Sequence, residues 1–583
     1  MKTGLAGRAS AQGGSLVCVG LILGLLGVTW TLPSKERMAA VLPPGADTPA
    51  LHQRLTESWA GMHRKLGINL MLNPEAMWRL PGVQSCAPGW TSPPDLLLNP
   101  IRSFFVRSGH DDEQSFLIVL SRMKPRQLDF HPHMFIYGGA HVYTLGAGLA
   151  AGAALGLVEL HRGLAPYMAE PSRMAALYLP GRLLSVLAYL GCGLMLLRLG
   201  RRRFDLGVGW LAGLLFLCSP ASVVQAHVLK HAAFWTFFGL WSFERSAEVL
   251  AAGRLRDYAL AGLAAGLAMG TSLGAWPVCS FAAAAACMRV WDGEKPGAEL
   301  RGLVLAGSTA LLAFFATNPY WLIDHSEALK EYAVIKSANA GLSWTHPFVF
   351  LAEPLRHAVT LPFLAFIGLG TLFAVAGART ERTLAFAALC FWLGAASVAT
   401  FSTVSPARAM RYYLVWMGLG LLLAARAAAG PGPWKRARLA LAGLAALNLM
   451  LEGLTYSYNF RLAASAESNQ FRAGRWISAN VPPGEKVGFL RLPAPSNSPY
   501  FRFDRYELTF VEEGLFKSLP PEKLPRWMVV AIPDYDDRPN MEPNLSRYER
   551  AAAFDRPKLV PWIRVHPTAT TANPVFEIYK LKS

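Results

Sequence analysis

The chain carries three polar phrases in close succession: His110-Asp111-Asp112-Glu113, then Met123-Lys124-Pro125, then His131-Pro132-His133. Ionised carboxylates are costly near a bilayer, so a run of three beside a membrane span marks a site of function. A carboxylate at that depth accepts a proton from an acceptor arriving from water, while a lipid-borne partner arrives from the bilayer. The competing reading is structural, because acids in the first turn of a helix cap its free backbone amides.

These groups must be held by membrane helices. Hydrophobic residues make up 53% of the 583 and charged residues 16%, against roughly 25% charged in soluble domains. A net charge of +18 is one signature of nucleic-acid binding. Here, however, many Lys and Arg lie in short loops between apolar runs, the pattern that orients a multi-pass protein, so no nucleic acid is expected. Runs near 20 residues predict about eleven spans. They are Ser15 to Leu32 and then 177–199, 207–226, 232–250, 257–275, 276–291, 302–322, 357–377, 383–402, 412–428 and 438–456. The first is read as an uncleaved anchor rather than a signal peptide.

Five basic loops then share one side: 198–203, 254–256, 289–301, 379–382 and 435–438. That side is read as cytoplasmic, together with the N-terminus, in a plasma (inner) membrane. The apolar run Ile136 to Leu160 is long enough to cross, but crossing would invert every later loop. It is therefore expected to be a re-entrant or interfacial hairpin. The external, periplasmic side collects the first loop (33–135, with juxtamembrane helices), the His227–His231 turn, the 324–357 loop, the Arg408–Arg411 turn and the tail. Of the seven cysteines only Cys86 lies in a polar stretch and no CxxC pair occurs, so no zinc frame or disulfide is expected.

After Thr455 the composition turns polar and proline-rich. Residues 1–456 are read as the membrane module and 457–583 as a small soluble α/β domain. An amphipathic helix is expected over Ser465–Asn480, with strands over Lys486–Leu492, Tyr506–Val511, Trp527–Ile532 and Phe576–Leu581.

The acidic run, Pro132, Tyr137 and Gly138 together resemble the first external loop of membrane glycosyltransferases of the GT-C superfamily. The resemblance is to the branch of bacterial aminoarabinose transferases and protein O-mannosyltransferases, where an Asp-Glu pair follows the first span. Gly181-Arg182-Leu-Leu-Ser185, Asn318-Pro319-Tyr320, Arg411-Tyr412-Tyr413 and Trp476-Ile477 with Asn480-Val-Pro-Pro-Gly484 resemble later motifs, in order. His227-Val-Leu-Lys-His231 departs from the pattern, since many relatives carry an Asp there.

The resemblance implies a GT-C fold and an inverting hexosyl- or pentosyltransferase. Its donor would be a sugar on a polyprenyl phosphate, and its acceptor an unidentified lipid, glycan or protein on the external face. Asp112 is expected as the base, Glu113 as its positioning neighbour and Asp111 as the spare acid. The leaving phosphate is assigned to Arg182, Arg411, His131, His133, Lys124, Lys230 and Arg408, as donors of charge-assisted hydrogen bonds. Tyr137, His227, His231 and Tyr320 are expected to line the pocket. No cofactor is expected and no metal ligand is assigned; His110, Asp111, Asp112, His131 and His133 share one loop, but their spacing matches no ligand frame. Two other classes compete: a transporter, which should show half-repeats and polar residues at mid-membrane, and a membrane-anchored binding or assembly protein for envelope polysaccharide.

Overall fold

The computed structural model describes residues 2–72, 82–339, 341–400, 406–532, 536, 538–563, 565–566 and 570–582. The protein is mostly helical, with one small sheet near its C-terminal end. Seven helices are long and apolar enough to cross a membrane, or eight if the bent pair Leu206–Cys218 and Pro220–Ala226 forms one span. Over its described residues, each of the eleven expected stretches is mainly helical. The three outside that set are the apolar Ala11–Leu25 part of the first helix, Ala232–Ala252 and Leu255–Thr271.

The first and last long helices run in the same direction. Thr31, just past the first, hydrogen-bonds through its N–H (3.0 Å) and Oγ1 (3.1 Å) to the Ala463 carbonyl that ends the Lys435–Ala463 helix. Ser457 Oγ donates to Leu23 O at 2.7 Å. If both helices cross, the number of crossings is odd, as eleven requires. The segment expected to be re-entrant is a single helix, Gly139–Ala154, of 16 residues. At 1.5 Å per residue it is roughly 24 Å long, short of a hydrocarbon core of about 30 Å. The Pro406–Ala429 helix lies at the centre of the bundle, with 89% of its apolar window buried.

Small residues permit the closest approaches. Gly262 and Gly266 sit four apart where Leu255–Thr271 meets Pro296–Thr317, and added methyls would lie 2.0 Å from Ala306 O and 2.2 Å from Ala310 O. This is the small-xxx-small contact of membrane helices. At the end of the same row, Gly138 donates its N–H to Thr271 O at 3.1 Å, and a Cβ there would lie 2.0 Å from Gly270 O.

The sheet has six strands in the order β1-β3-β2-β4-β6-β5. β2 (Lys486–Phe489), β3 (Glu507–Val511), β4 (Trp527–Ile532) and β6 (Val575–Leu581) are the expected strands. β5 (Tyr548–Phe554) was not anticipated, nor was β1 (Val83–Cys86), which comes from the 33–135 segment that follows the first helix. β1 lies antiparallel to β3 with Ser85 opposite Thr509. The sheet domain is thus completed by a strand from outside 457–583. The Asn469–Asn480 helix packs on it, and Tyr500 meets Phe104 of the first loop edge-on at 5.7 Å.

Gly138→Ala places a methyl on backbone that has no room to yield. It should cost about 1–3 kcal/mol, read as a lower melting temperature in detergent than Gly61→Ala, whose site is open and carries no positive φ.

Candidate active site

The helix Asp111–Arg122 begins with three acids and is capped by His110, whose Nδ1 accepts the Asp112 N–H at 3.2 Å. Successive residues on a helix point about 100° apart, so one turn sends three carboxylates in three directions. Asp111 turns to the C-terminal domain, accepting from Ser496 Oγ at 3.1 Å. Glu113 turns inward. Asp112 turns to a pocket and keeps 37% of its side chain exposed.

Glu113 and Arg182 form a fully buried pair, each 0% exposed. Arg182 Nη2 donates to Glu113 Oε2 at 2.7 Å and Nε to Oε1 at 3.0 Å. The same carboxylate accepts from Ser108 Oγ and from Leu229 N at 2.7 Å. Arg182 Nη1 also donates to Val28 O (2.7 Å) and Trp30 O (3.0 Å), past the end of the first helix. Burial would raise the Glu113 carboxyl; Arg182 above all, helped by His110 and the Leu229 amide, brings it below its ordinary value.

A polar cluster at the place of the expected pocket gathers Asp112, Lys230, Tyr137, Arg411 and His231 beside this pair. Lys230 Nζ makes an ion pair with Asp112 Oδ2 and is buried. Burial alone would raise the Asp112 carboxyl. Lys230, then His110 and Arg411, outweigh it and hold that carboxyl well below the usual carboxylate range. The Tyr137 hydroxyl lies beside the Asp112 carboxylate. Arg411 stands in the first turns of the central helix with its guanidinium 5.1 Å from the Tyr412 ring centre. His231 lies 5.6 Å from the Tyr137 ring, and neither of its ring nitrogens has a hydrogen-bond partner among the described residues.

Several expected site residues lie elsewhere. Arg182 is corrected from phosphate ligand to partner of Glu113, because a carboxylate buried there demands a cation and the guanidinium has no exposed surface left. Asp111, expected as the spare acid, accepts a hydrogen bond from Ser496 of the C-terminal domain. His227 does not line the pocket: it is buried, stacked on Phe460 at 4.0 Å, with its ring nitrogens against Val223 O and Leu26 O. Lys124 is exposed beyond the far end of a 12-residue helix, roughly 18 Å from the Asp112 end.

His131, His133 and Tyr320 form a neighbouring cluster. The His131 and His133 rings stack at 3.9 Å, His131 lies 4.4 Å from Tyr320, and His131 Nε2 faces Asp324 at 3.3 Å. The side chain of Arg408 lies outside the described residues.

Three positioning groups were not anticipated. Glu331 is buried and accepts from Phe135 N at 2.8 Å, Ile136 N and Asn69 Nδ2 at 2.6 Å, fixing the strap that carries Tyr137. It sits on a helix, His325–Asn339, within a segment expected to be a loop. Asn318 Oδ1 accepts from Gly139 N at 2.7 Å; its place before Pro319-Tyr320 was the available signal. Ser108 had none.

Two groups of His and carboxylate side chains are close enough to share a metal ion among the described residues: His131, His133 and Glu327, and Glu353, His357 and His566. Asp111 and Asp112 belong to neither.

No protein-family model and no curated protein matches the sequence. Among solved structures the chain is similar to the archaeal oligosaccharyltransferase AglB from Archaeoglobus fulgidus, in complex with an inhibitory peptide and a dolichol-phosphate. The identity is 12% and the TM-score 0.39, over 75% of this chain and 67% of that one. It is also similar to ArnT from Cupriavidus metallidurans bound to undecaprenyl phosphate, with 14% identity and a TM-score of 0.36, over 76% of this chain and 88% of that one. Overlaps of this size leave the site to stand on its own geometry.

Arg182→Ala leaves Glu113 charged, buried and unpaired. It should cost about 3–5 kcal/mol of stability, seen as loss of the folded peak in size exclusion or a large drop in melting temperature. Combining Arg182→Met with Glu113→Leu removes both charges and should recover part of that loss; a double variant as unstable as the single would refute this role for the pair.

Proposed function

We propose that the protein is a membrane glycosyltransferase that moves a hexose or pentose from a polyprenyl phosphate to an acceptor hydroxyl on the external face, with inversion at the anomeric carbon. The observation that carries this reading is a half-exposed, ionised Asp112 flanked by Lys230 and Arg411 on an acid-led helix, in a chain of apolar helices. It pairs a proton acceptor with cations suited to a phosphate. The order of the sequence motifs supports the same assignment.

The chemistry needs little more. The acceptor oxygen attacks the anomeric carbon as the bond to the phosphate oxygen breaks. Its proton goes to Asp112, and the electron pair leaves with the lipid phosphate. Lys230 and Arg411 stabilise charge there through hydrogen bonds aimed where it develops. Tyr137 orients the carboxylate, and the buried Glu113–Arg182 pair holds the helix that presents it.

Lys230 has two uses in this scheme. Paired with Asp112 it keeps the carboxylate ionised but weakly basic. Drawn to an arriving donor phosphate, it frees Asp112 and raises its basicity when a proton must be taken. Donor binding thereby arms the base. The acceptor, the sugar and the membrane orientation belong to this proposal.

The test is transfer from a panel of polyprenyl-phosphate sugars by membranes holding equal amounts of each variant. Asp112→Asn should lower the rate by roughly 10²–10⁴ while melting normally, and Asp111→Asn should do far less. Because its pKa is depressed, Asp112 stays ionised as pH falls until well below the ordinary carboxylate value of about 4, so wild-type enzyme should show no acid limb from it near neutrality. Lys230→Met removes the largest part of that depression, moving an acid limb upward in pH, and lowers the maximal rate. Full transfer by Asp112→Asn would defeat the proposal.

A further inference from the structure

A second cluster lies where the C-terminal tail meets the bundle. Glu353 caps the Pro354–Ala376 helix, and His357 follows one turn on, its N–H donating to Glu353 O at 3.0 Å. Residues four apart on a helix share a face. The tail after β5 brings His566 onto that face. Its Nε2 lies 3.5 Å from Glu353 Oε1, and its ring centre is 4.4 Å from that of His357. One donor atom from each of the three lies within 4.8 Å of the others.

The tail is built to hold His566 there. Arg556, buried beneath it, donates to Ala572 O at 3.0 Å, Thr570 O at 2.6 Å and the carbonyl of His566 itself at 3.3 Å. Asn459 of the last long helix donates to Pro557 O at 2.9 Å and accepts from Asn573 Nδ2 at 3.1 Å.

We infer that Glu353, His357 and His566 bind a zinc-type divalent cation that fastens the C-terminal tail to the Pro354–Ala376 helix. Two imidazoles and one carboxylate are a donor set that such ions take, with a water in the fourth position. Ligands about 2.0–2.1 Å from a tetrahedral zinc stand about 3.3 Å from one another, so the Glu353–His566 separation is already near the bound value. A simple ion pair would need only one histidine; here two rings converge on one carboxylate. The other candidate cluster is less suitable. His131 Nδ1 accepts the His133 N–H at 2.9 Å, so its neutral ring carries the proton on Nε2, the atom facing Asp324.

The full-length protein in detergent, stripped with chelator and dialysed against Zn²⁺, should retain about one ion per chain at a site of this type, counted by mass spectrometry. Millimolar Mg²⁺ should not displace it. His357→Ala and His566→Ala should lose the ion, whereas His566→Cys should keep it, because a thiolate is a zinc ligand and a merely structural histidine would not be replaced in this way. Zn²⁺ should slow protease cleavage after Phe554 in the wild type but not in His357→Ala. No stoichiometric zinc in the wild type would overturn the inference. So would zinc that survives the double alanine variant and disappears in His133→Ala. Neither readout depends on sugar transfer, so failure here leaves the proposed activity untouched.

Discussion

The buried Glu113–Arg182 pair is the constraint on which the site depends. It joins four segments that are distant in sequence: the acid-led helix, the Pro171–Arg203 helix, the 227–231 turn through Leu229, and the end of the first helix through Val28 and Trp30. A buried ion pair contributes little net stability against an apolar replacement of the same shape. What it fixes here is rotation. With Glu113 locked inward, the 100° step of the helix leaves Asp112 no direction but the pocket and turns Asp111 to the C-terminal domain.

That geometry explains where the sequence was readable. An acidic run beside apolar helices pointed to the helix that carries the candidate site, and the apolar runs marked helices because a stretch near 20 residues has few other uses. The strands β2, β3, β4 and β6 were legible from their continuous or alternating apolar residues. β5 was not, because its outer residues Glu549, Arg550 and Ala551 are exposed and carry no period. β1 was not, because four residues, Val-Gln-Ser-Cys, are too few to show one.

The side-chain assignments were harder, for a physical reason. Type and position identify a cation but not its partner. Arg182 and Lys230 both stood out as phosphate ligands near a membrane edge. Only the fold reveals that one is consumed by a buried glutamate and the other rests on the catalytic candidate itself. Similarly, His227 and His231 bracket one turn, yet the first is wedged against Phe460 and the second faces Tyr137. A shift of four residues across a turn separates a structural imidazole from a pocket one, and composition carries no trace of it.

The pairing of β1 with β3 also sets a timetable. Ser85 and Thr509, whose hydroxyls meet at 3.1 Å, are 424 residues apart. At a synthesis rate of about 5–20 residues per second, the earlier strand waits roughly twenty to ninety seconds for its partner. Throughout that interval the segment that carries β1 has an open strand edge, the kind of surface to which other chains adhere. A strand made late therefore closes an edge made early, and a chain truncated before β3 would leave that edge permanently open.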